Sequence, residues 1–421
     1  MRVRLIKFAF FSAGLTAMLQ FCAVGKDWSN WLGPNYNGTI EVPGKKFDQD
    51  KRIELCWTKA VGVGWSAPIV YYNKVFLHDR VDNEENLTAF DKNTGERIWH
   101  VSFQSTFRDD FGMENGPRST PALSKDIIIT HSPSGFVHAI SAKNGKVLWT
   151  RDLDADYASP KGFFGRCSSP LILGERVFFD VGGKDVGLIA MSLHTGKTIW
   201  KSKSYTNDYA SLVPLRYEKD IIIAFMREGL VLADAETGKE VFHDNFRSPI
   251  NASVNAASPL VIGDGIFLSS CYDVGARFWK LYGSQNLKTL KVKKEWQKHG
   301  ILDCHFSTPV YHGGNLFGFH GRQERGAELR CIKLSDQKIL WNVPSLGAGH
   351  LIRVGEEVIC LTERGELIVF SAQSSAFNPI LREQVLGPCR AHFAYSDGKV
   401  FARDKRRLIC LDLFSKATLD K

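Results

Sequence analysis

The sequence has 421 residues, of which 44% are hydrophobic and 24% charged, and its formal net charge is +9. This composition excludes a disordered or low-complexity chain and allows one large core or two domains. The basic residues are scattered, and the one dense basic run, residues 403–407, is typical of a solvated turn, so no nucleic-acid partner is expected.

The first residues predict a secretory signal peptide. Three cations among the first seven residues precede an apolar run over residues 8–25, which ends in small residues that suit cleavage before Lys26. An uncleaved membrane anchor is the alternative, although a run of about 18 residues broken by polar side chains is marginal for a span. Lipidation at Cys22 is disfavoured by the bulky phenylalanine that precedes it. We expect residues 1–25 to be removed and residues 26–421 to reach the periplasm or cell envelope without a transmembrane segment.

The rest of the chain repeats one pattern, in which an alternating strand leads to a Thr-Gly or Asn-Gly turn and a return strand that ends on an aromatic residue. Alternation predicts strands, and the Gly turn predicts a hairpin between them. The copies end at Trp99, Trp149, Trp200, Phe242 and Trp341, with a looser copy that ends at Trp296.

A second pattern precedes each hairpin, where a small residue and a proline open an apolar strand. Proline is tolerated in a sheet only where a strand begins or has a free edge. Each unit therefore predicts four antiparallel strands in roughly 40–50 residues, which is a propeller blade. The pairs are Ala67-Pro68, Thr120-Pro121, Ser169-Pro170, Ser258-Pro259 and Thr308-Pro309, with Val213-Pro214 as a variant.

The number of units predicts an all-β, eight-bladed propeller of four-stranded antiparallel blades, with seven blades as the alternative. Six hairpins are readable, and residues 364–373 supply a seventh without its Gly turn or Trp. An eighth unit from Ala391 to Leu413 lacks an outer strand, and residues 54–62 form an outer strand without a blade. Pairing of that N-terminal strand with the last blade would close the ring and leave no exposed edge.

The tryptophans at the ends of the outer strands are expected to pack between neighbouring blades, where a large planar side chain is buried. None of the repeat tryptophans is followed by Asp, which excludes a WD40 propeller. The expected blade-packing residues are Trp57, Trp99, Trp149, Trp200, Trp296 and Trp341.

The unit A-x-[D/S]-x-x-[T/N]-G-x-x-x-W resembles the blade repeat of the PQQ-like propellers, which are of quinoprotein type or BamB-like. Residues 27–39 and 319–334 are similar to exported bacterial members of that family. The resemblance implies a binding or scaffold protein of the cell envelope with a protein partner. The alternative that it implies is a PQQ-dependent alcohol or sugar dehydrogenase, with PQQ and calcium as cofactors.

The resemblance to the dehydrogenases does not extend to assigned catalytic residues. It implies a calcium ion held by Glu, Asn and Asp, a catalytic Asp and often a vicinal Cys pair, whereas this chain has no Cys-Cys pair and no calcium set is placed on specific positions. We assign neither catalytic nor metal-binding residues. No two cysteines have metal-site spacing, and Cys331, Cys360 and Cys410 occupy inward strand positions, which predicts buried free thiols.

Charged and imidazole side chains near the innermost strands are the candidates for a polar axial pocket. A ring of Arg with a few carboxylates would attract a small anionic ligand or an acidic loop of a partner. The alternative is that these groups pair with one another and stabilise the hub. His312 and His350 are expected to be solvated loop residues. The candidates are Arg118, Arg166, His305, Arg322, Glu324, Glu363 and His392.

Overall fold

The computed structural model describes residues 27–42, 47, 52–217, 219–283, 287 and 289–413. The predicted signal peptide and Cys22 lie outside these residues. The described chain is an eight-bladed β-propeller in which each blade is an antiparallel sheet of four strands. Eight blades were predicted, and the seven-blade alternative is wrong. Among the described residues, no helix combines the length and hydropathy needed to cross a membrane.

Blades 1 to 4 run in chain order from the innermost strand outward, after the two N-terminal strands β1 (Thr39–Ile40) and β2 (Glu54–Ala60). One short helix, α1 (Leu153–Tyr157), follows the outer strand of blade 2. The blades are β3 (Ile69–Tyr71), β4 (Lys74–Val81), β5 (Glu84–Asp91) and β6 (Arg97–Gln104); β7 (Ala122–Ser124), β8 (Ile127–His131), β9 (Phe136–Ser141) and β10 (Val147–Asp152); β11 (Leu171–Leu173), β12 (Arg176–Gly183), β13 (Val186–Ser192) and β14 (Thr198–Lys201); and β15 (Val213–Leu215), β16 (Ile221–Phe225), β17 (Gly229–Asp234) and β18 (Glu240–Asn245).

Blades 5 to 7 have the same order, and blade 8 contributes only its three inner strands from this part of the chain. A 3-10 turn, η1 (Gln323–Arg325), lies between the two middle strands of blade 6. The strands are β19 (Leu260–Ile262), β20 (Gly265–Ser270), β21 (Gly275–Tyr282) and β22 (Lys291–Lys298); β23 (Val310–His312), β24 (Asn315–His320), β25 (Glu328–Lys333) and β26 (Ile339–Val343); β27 (Gly349–Val354), β28 (Glu357–Thr362), β29 (Glu366–Ser371) and β30 (Pro379–Gln384); and β31 (Ala394–Ser396), β32 (Lys399–Arg403) and β33 (Arg407–Asp412).

The ring closes as the sequence predicts. Strand β2 pairs antiparallel with β33, with Trp57 opposite Cys410, and supplies the missing outer strand of blade 8. The N-terminal segment adds one feature that the pattern did not predict, because β1 pairs in parallel with the innermost strand β27 of blade 7. The two N-terminal strands β1 and β2 therefore pair with two neighbouring blades, 7 and 8.

The Gly and Trp of the repeat contact each other across the boundary between blades. The Gly238 turn of blade 4 has φ +72°, and a Cβ there would lie 2.4 Å from Cε3 of Trp200 in blade 3. The Trp200 indole N–H donates to the Ala235 carbonyl of the same turn, at 3.1 Å. Glycine is needed both for the left-handed backbone and to admit the indole face. The same donation joins Trp57 to Lys92, Trp99 to Ala142, Trp149 to Leu193 and Trp341 to Gln373.

Two details of the sequence analysis are wrong. Val213-Pro214 is not the variant small-residue–proline pair of blade 4, because Pro214 pairs with Ile222 inside β15 and Ser211 takes the small-residue position. Residues 403–407 are not a uniformly solvated turn. Arg403 is fully buried and donates to the carbonyls of Gly62 and Asp404, whereas the rest of the run includes three exposed cations.

Candidate functional site

A belt of hydroxyl groups surrounds the propeller axis. The residue two places before each innermost strand is Ala, Ser or Thr in blades 1 to 6. The backbone N–H of this residue donates to the side-chain hydroxyl of the corresponding residue in the next blade. The belt runs through Ala67, Thr120, Ser169, Ser211, Ser258 and Thr308, with donor–acceptor distances of 2.9–3.2 Å. These bonds satisfy buried backbone donors that face the axis, so the small-residue–proline repeat is explained by hub formation.

Blades 7 and 8 break this belt with histidine. From the register of their inner hairpins, His350 and His392 occupy the position that Ser169 holds in blade 3. Their ring centroids are 4.7 Å apart, and both side chains are buried. The expectation that His350 is a solvated loop residue is therefore wrong. His312 ends β23, is partly exposed and lies 3.0 Å from the Glu356 carboxylate.

The segment before β1 closes one end of the axial channel. Its Trp31 packs edge-on against His350 and His392, and the Trp31 indole N–H donates to the hydroxyl of Ser258 at 3.0 Å. The Trp28 carbonyl accepts from Val70 of blade 1, at 2.9 Å. Trp31 thereby forms the floor of the space that the belt surrounds.

We call this space the axial cup. Its volume is about 380 Å³, and loops and inner strands from all eight blades line it. Its size matches a small organic molecule or a single large side chain. Eight aromatic side chains line the axial cup: Trp31, Trp65, Phe111, Phe163, Phe164, Tyr209, Tyr272 and Phe306.

Three guanidinium groups also line the axial cup, each over an aromatic ring. Arg118 lies 4.5 Å from the Trp65 ring centroid, Arg390 lies 5.0 Å from the same centroid, and Arg322 lies 4.7 Å from that of Tyr272. Such cation–π stacking fixes the planes of the guanidinium groups, and each group also donates hydrogen bonds from its edge to a protein acceptor.

Two of these cations are neutralised within the protein. Arg118 forms a buried ion pair with Asp109 and donates to the carbonyl of Phe164 at 2.7 Å. Arg322 lies 3.3 Å from the carboxylate of Glu324 on the turn η1. Arg390 lies beyond ion-pair distance of every carboxylate that the structure describes.

The imidazoles of the axial cup are uncharged at neutral pH. Burial lowers the pKa of His305 and of His350 to about 4, and burial together with the neighbouring His350 lowers the pKa of His392 well below its usual value. Burial raises the pKa of the Cys167 thiol to about 12, so this lining cysteine is protonated and is not an activated nucleophile.

The predicted pocket residues separate into two groups. Arg118, His305, Arg322, Glu324 and His392 line the axial cup. Arg166 does not, because its guanidinium is buried against Asp154 at 2.6 Å. Glu363 lines a neighbouring cavity of about 480 Å³ that shares Trp65 and Arg390 with the axial cup.

No sequence pattern pointed to the pocket position of Trp31, Trp65, His350, Arg390 or the aromatic loop residues. The loops carry no repeat, so no pattern placed them. His350 was detectable, because aligning the inner hairpin of blade 7 with the others puts it at the belt position.

One family model matches more than half of this chain. The profile of the family described as outer membrane protein assembly factor BamB matches residues 83–343. Protein FAM234A of Mus musculus is 27% identical over 242 residues, which are 56% of this chain and 41% of that protein. BamB of Shewanella oneidensis is 31% identical over 105 residues, which are 23% of this chain and 26% of that protein. The matched segments thus span less than half the length of each relative.

A solved structure shows the same fold. The quinohemoprotein alcohol dehydrogenase of Comamonas testosteroni superposes with a TM-score of 0.68 at 13% identity, covering 94% of this chain and 82% of that chain. At this identity the likeness concerns the fold alone.

Proposed function

This chain belongs to the family of the outer membrane protein assembly factor BamB, and from that premise we propose that it is a binding and scaffold protein of the cell envelope that captures a protein partner at the axial cup. One observation carries the proposal. The residues that depart from the repeat converge from all eight blades on a single aromatic space with cationic side chains. The belt hydrogen bonds join blades 1 to 6 around this space, and a preformed site lowers the ordering cost of binding.

Exposed aromatic rings at the mouth of the axial cup support a macromolecular partner. Phe111 and Phe163 are 60% and 45% exposed, and their ring centroids are 6.3 Å apart. Both come from loops that connect the outer strand of one blade to the innermost strand of the next. Paired exposed aromatics beside a pocket are typical of protein interaction sites, since aromatic anchors dominate binding energy.

The second candidate is a PQQ-dependent oxidoreductase, which the fold shared with the quinohemoprotein dehydrogenase and the aromatic lining favour. The described side chains do not fit the quinone–calcium pair. Among them, no three His, Cys, Asp or Glu residues are grouped to hold a metal ion, and Glu324 is the one carboxylate that lines the axial cup. Glu324 is already engaged by Arg322.

Thermal unfolding with PQQ, with and without Ca²⁺, separates the two candidates. A ligand that binds only the folded protein raises the melting temperature. We expect no shift with PQQ, with Ca²⁺ or with both. A calcium-dependent rise, followed by reduction of a dye with an alcohol or sugar, would support the oxidoreductase and contradict the binding protein.

Affinity capture from an envelope extract tests the binding role. We expect a defined partner to be retained by the wild-type protein and lost from the double variant Phe111→Ser/Phe163→Ser. The matched control is Ile199→Ser/Ile339→Ser, which removes two similarly exposed apolar side chains from outer strands. Equal retention by both double variants would show that the mouth of the axial cup is not the interface.

A further inference from the structure

Arg390 is the cation of the axial cup whose charge no described carboxylate compensates. Its guanidinium stacks on Trp65 and donates to the neutral side-chain amide oxygen of Gln323, at 2.8 and 3.2 Å, and no described carboxylate lies within ion-pair distance of it. A partly buried guanidinium among aromatic rings gains most from a carboxylate that the ligand brings, because both charges are then paired in a low-dielectric space. The axial cup therefore provides for one anionic group of a ligand.

His350 provides a buried acceptor beside that cation. Its Nε2 lies 3.0 Å from the Arg390 carbonyl oxygen, which can only accept, so Nε2 carries the proton and Nδ1 keeps a lone pair. Nδ1 is buried and has no hydrogen-bond partner among the described residues. The ring is enclosed by Trp31, Phe306 and His392, all of which line the axial cup. This acceptor calls for an N–H or O–H donor from the ligand.

We propose that the axial cup binds the carboxyl terminus of a partner polypeptide whose last residue is apolar, which deepens the proposed function and rests on it. The terminal carboxylate pairs with Arg390, the amide N–H of the last residue donates to Nδ1 of His350, and the side chain packs among the aromatic rings. A chain terminus carries these three groups on adjacent atoms, and they match an unpaired cation, an unpaired acceptor and an apolar lining.

The mouth favours a polypeptide over a free acid of the same chemistry. Phe111 and Phe163 extend the apolar lining outward to exposed positions. A small acid held inside about 380 Å³ leaves these rings in water, whereas the residues upstream of a chain terminus cover them. The polypeptide therefore binds more tightly than its isolated last residue.

Fluorescence anisotropy with an N-terminally labelled peptide, Gly-Ser-Ala-Phe, tests the proposal with the full chain. Three probes are compared: the peptide with a free carboxylate, the same peptide as its C-terminal amide, and N-acetylphenylalanine as an unlabelled competitor. We expect the carboxylate form to bind about tenfold more tightly than the amide, since one charge-assisted hydrogen bond supplies a factor of that size. We expect N-acetylphenylalanine to compete at least about tenfold more weakly than unlabelled peptide.

Two variants tie the preference to named atoms. Arg390→Gln should reduce the ratio of the affinities for the carboxylate and amide peptides to below about threefold. The control is Arg325→Gln, because Arg325 is an exposed charge on η1 that does not line the axial cup, and this variant should keep the wild-type ratio. Methylation of the amide nitrogen of the peptide's last residue should lower the affinity of the peptide for the wild-type protein. The same methylation should not lower its affinity for the His350→Leu variant. Unchanged melting temperatures check that each variant folds.

Several results would overturn the proposal. They are the absence of peptide binding, equal affinity for carboxylate and amide, an unchanged ratio in Arg390→Gln, or N-acetylphenylalanine competing as well as the peptide. These outcomes are distinct from failure of the proposed function, which appears as stabilisation by PQQ and Ca²⁺ or as partner capture that does not depend on Phe111 and Phe163.

Discussion

Substitution of Gly238 by alanine should be far more damaging than the same substitution at Gly263. Both glycines have left-handed backbone, with φ +72° and +54°. At Gly263 a Cβ meets no atom within 4 Å, so Gly263→Ala loses only the backbone preference, about 1 kcal/mol. At Gly238 the Cβ would lie 2.4 Å from Trp200, so the indole must move.

The excess destabilisation follows from the contacts that the displaced indole makes. Overpacking of a filled site costs about 1–3 kcal/mol. Loss of the indole hydrogen bond to Ala235 costs about 1 kcal/mol more. We therefore expect Gly238→Ala to be less stable than Gly263→Ala by about 2–4 kcal/mol.

Urea unfolding monitored by circular dichroism, together with calorimetric melting temperatures, measures this difference. The pair Gly238→Ala and Trp200→Ala forms a double-mutant cycle. In the Trp200→Ala background, Gly238→Ala should be only about as costly as Gly263→Ala, because the clash partner is gone. Equal midpoints for Gly238→Ala and Gly263→Ala in the wild-type background would refute the idea that these glycines are fixed by the indole of the preceding blade.

Three further predictions concern the hub and the pH response. Ser258→Ala leaves the Ser211 N–H and the Trp31 indole N–H without their acceptor and should lower stability by about 2–3 kcal/mol, whereas Ser102→Ala on the exposed strand β6 should change it by less than about 0.5 kcal/mol in the same urea titration. Trp31→Phe should retain most of the stacking but lose the indole bond, so its midpoint should fall between those of the wild-type protein and Trp31→Ala. Stability should decrease as the pH falls from about 6.5 to 5, seen as a lower urea midpoint, because six buried or partly buried histidines have lowered pKa values and only the unfolded chain takes up their protons. Burial raises the pKa of Asp180 and Asp208 to about 7 and, by smaller shifts, also raises the pKa of four other aspartates, which acts in the opposite direction. Because the large shifts belong to two carboxyls and six imidazoles, a higher midpoint at pH 5 would contradict this account. The six are His131, His138, His305, His320, His350 and His392.

The fold was predictable because each blade repeats the interactions that build it. A Gly turn, a return strand and an indole recur at fixed spacing, and the structure explains all three by one contact, such as that between Gly238 and Trp200. Closure was predictable as well, since β2 carried the Trp57 signature of an outer strand without a blade to join.

The lining of the axial cup was predictable only in part, because the repeat does not determine which carboxylate pairs with which arginine. Arg118 and Arg166 both precede an innermost strand and look alike in sequence. Asp109 holds Arg118 at the axial cup, whereas Asp154 draws Arg166 away from it. These carboxylates belong to segments without a repeat, so nothing in the pattern distinguished the two arginines.

Departures from the repeat identify where a propeller has acquired its own function. Blades 1 to 6 fill the belt position with Ala, Ser or Thr and are joined in series by five hydrogen bonds from a backbone N–H to a side-chain hydroxyl. Blades 7 and 8 give up that hydroxyl for His350 and His392, which are too large to act only as belt acceptors and which contact Trp31 instead. Arg390 immediately precedes blade 8, so the uncompensated cation, the unpaired acceptor and the floor of the axial cup meet at the two blades where the symmetry is broken. Blade 1 shows that a small residue without a hydroxyl, Ala67, is also accommodated at this position. The two large imidazoles are therefore departures that the belt does not require, and this favours recognition at this side of the axis.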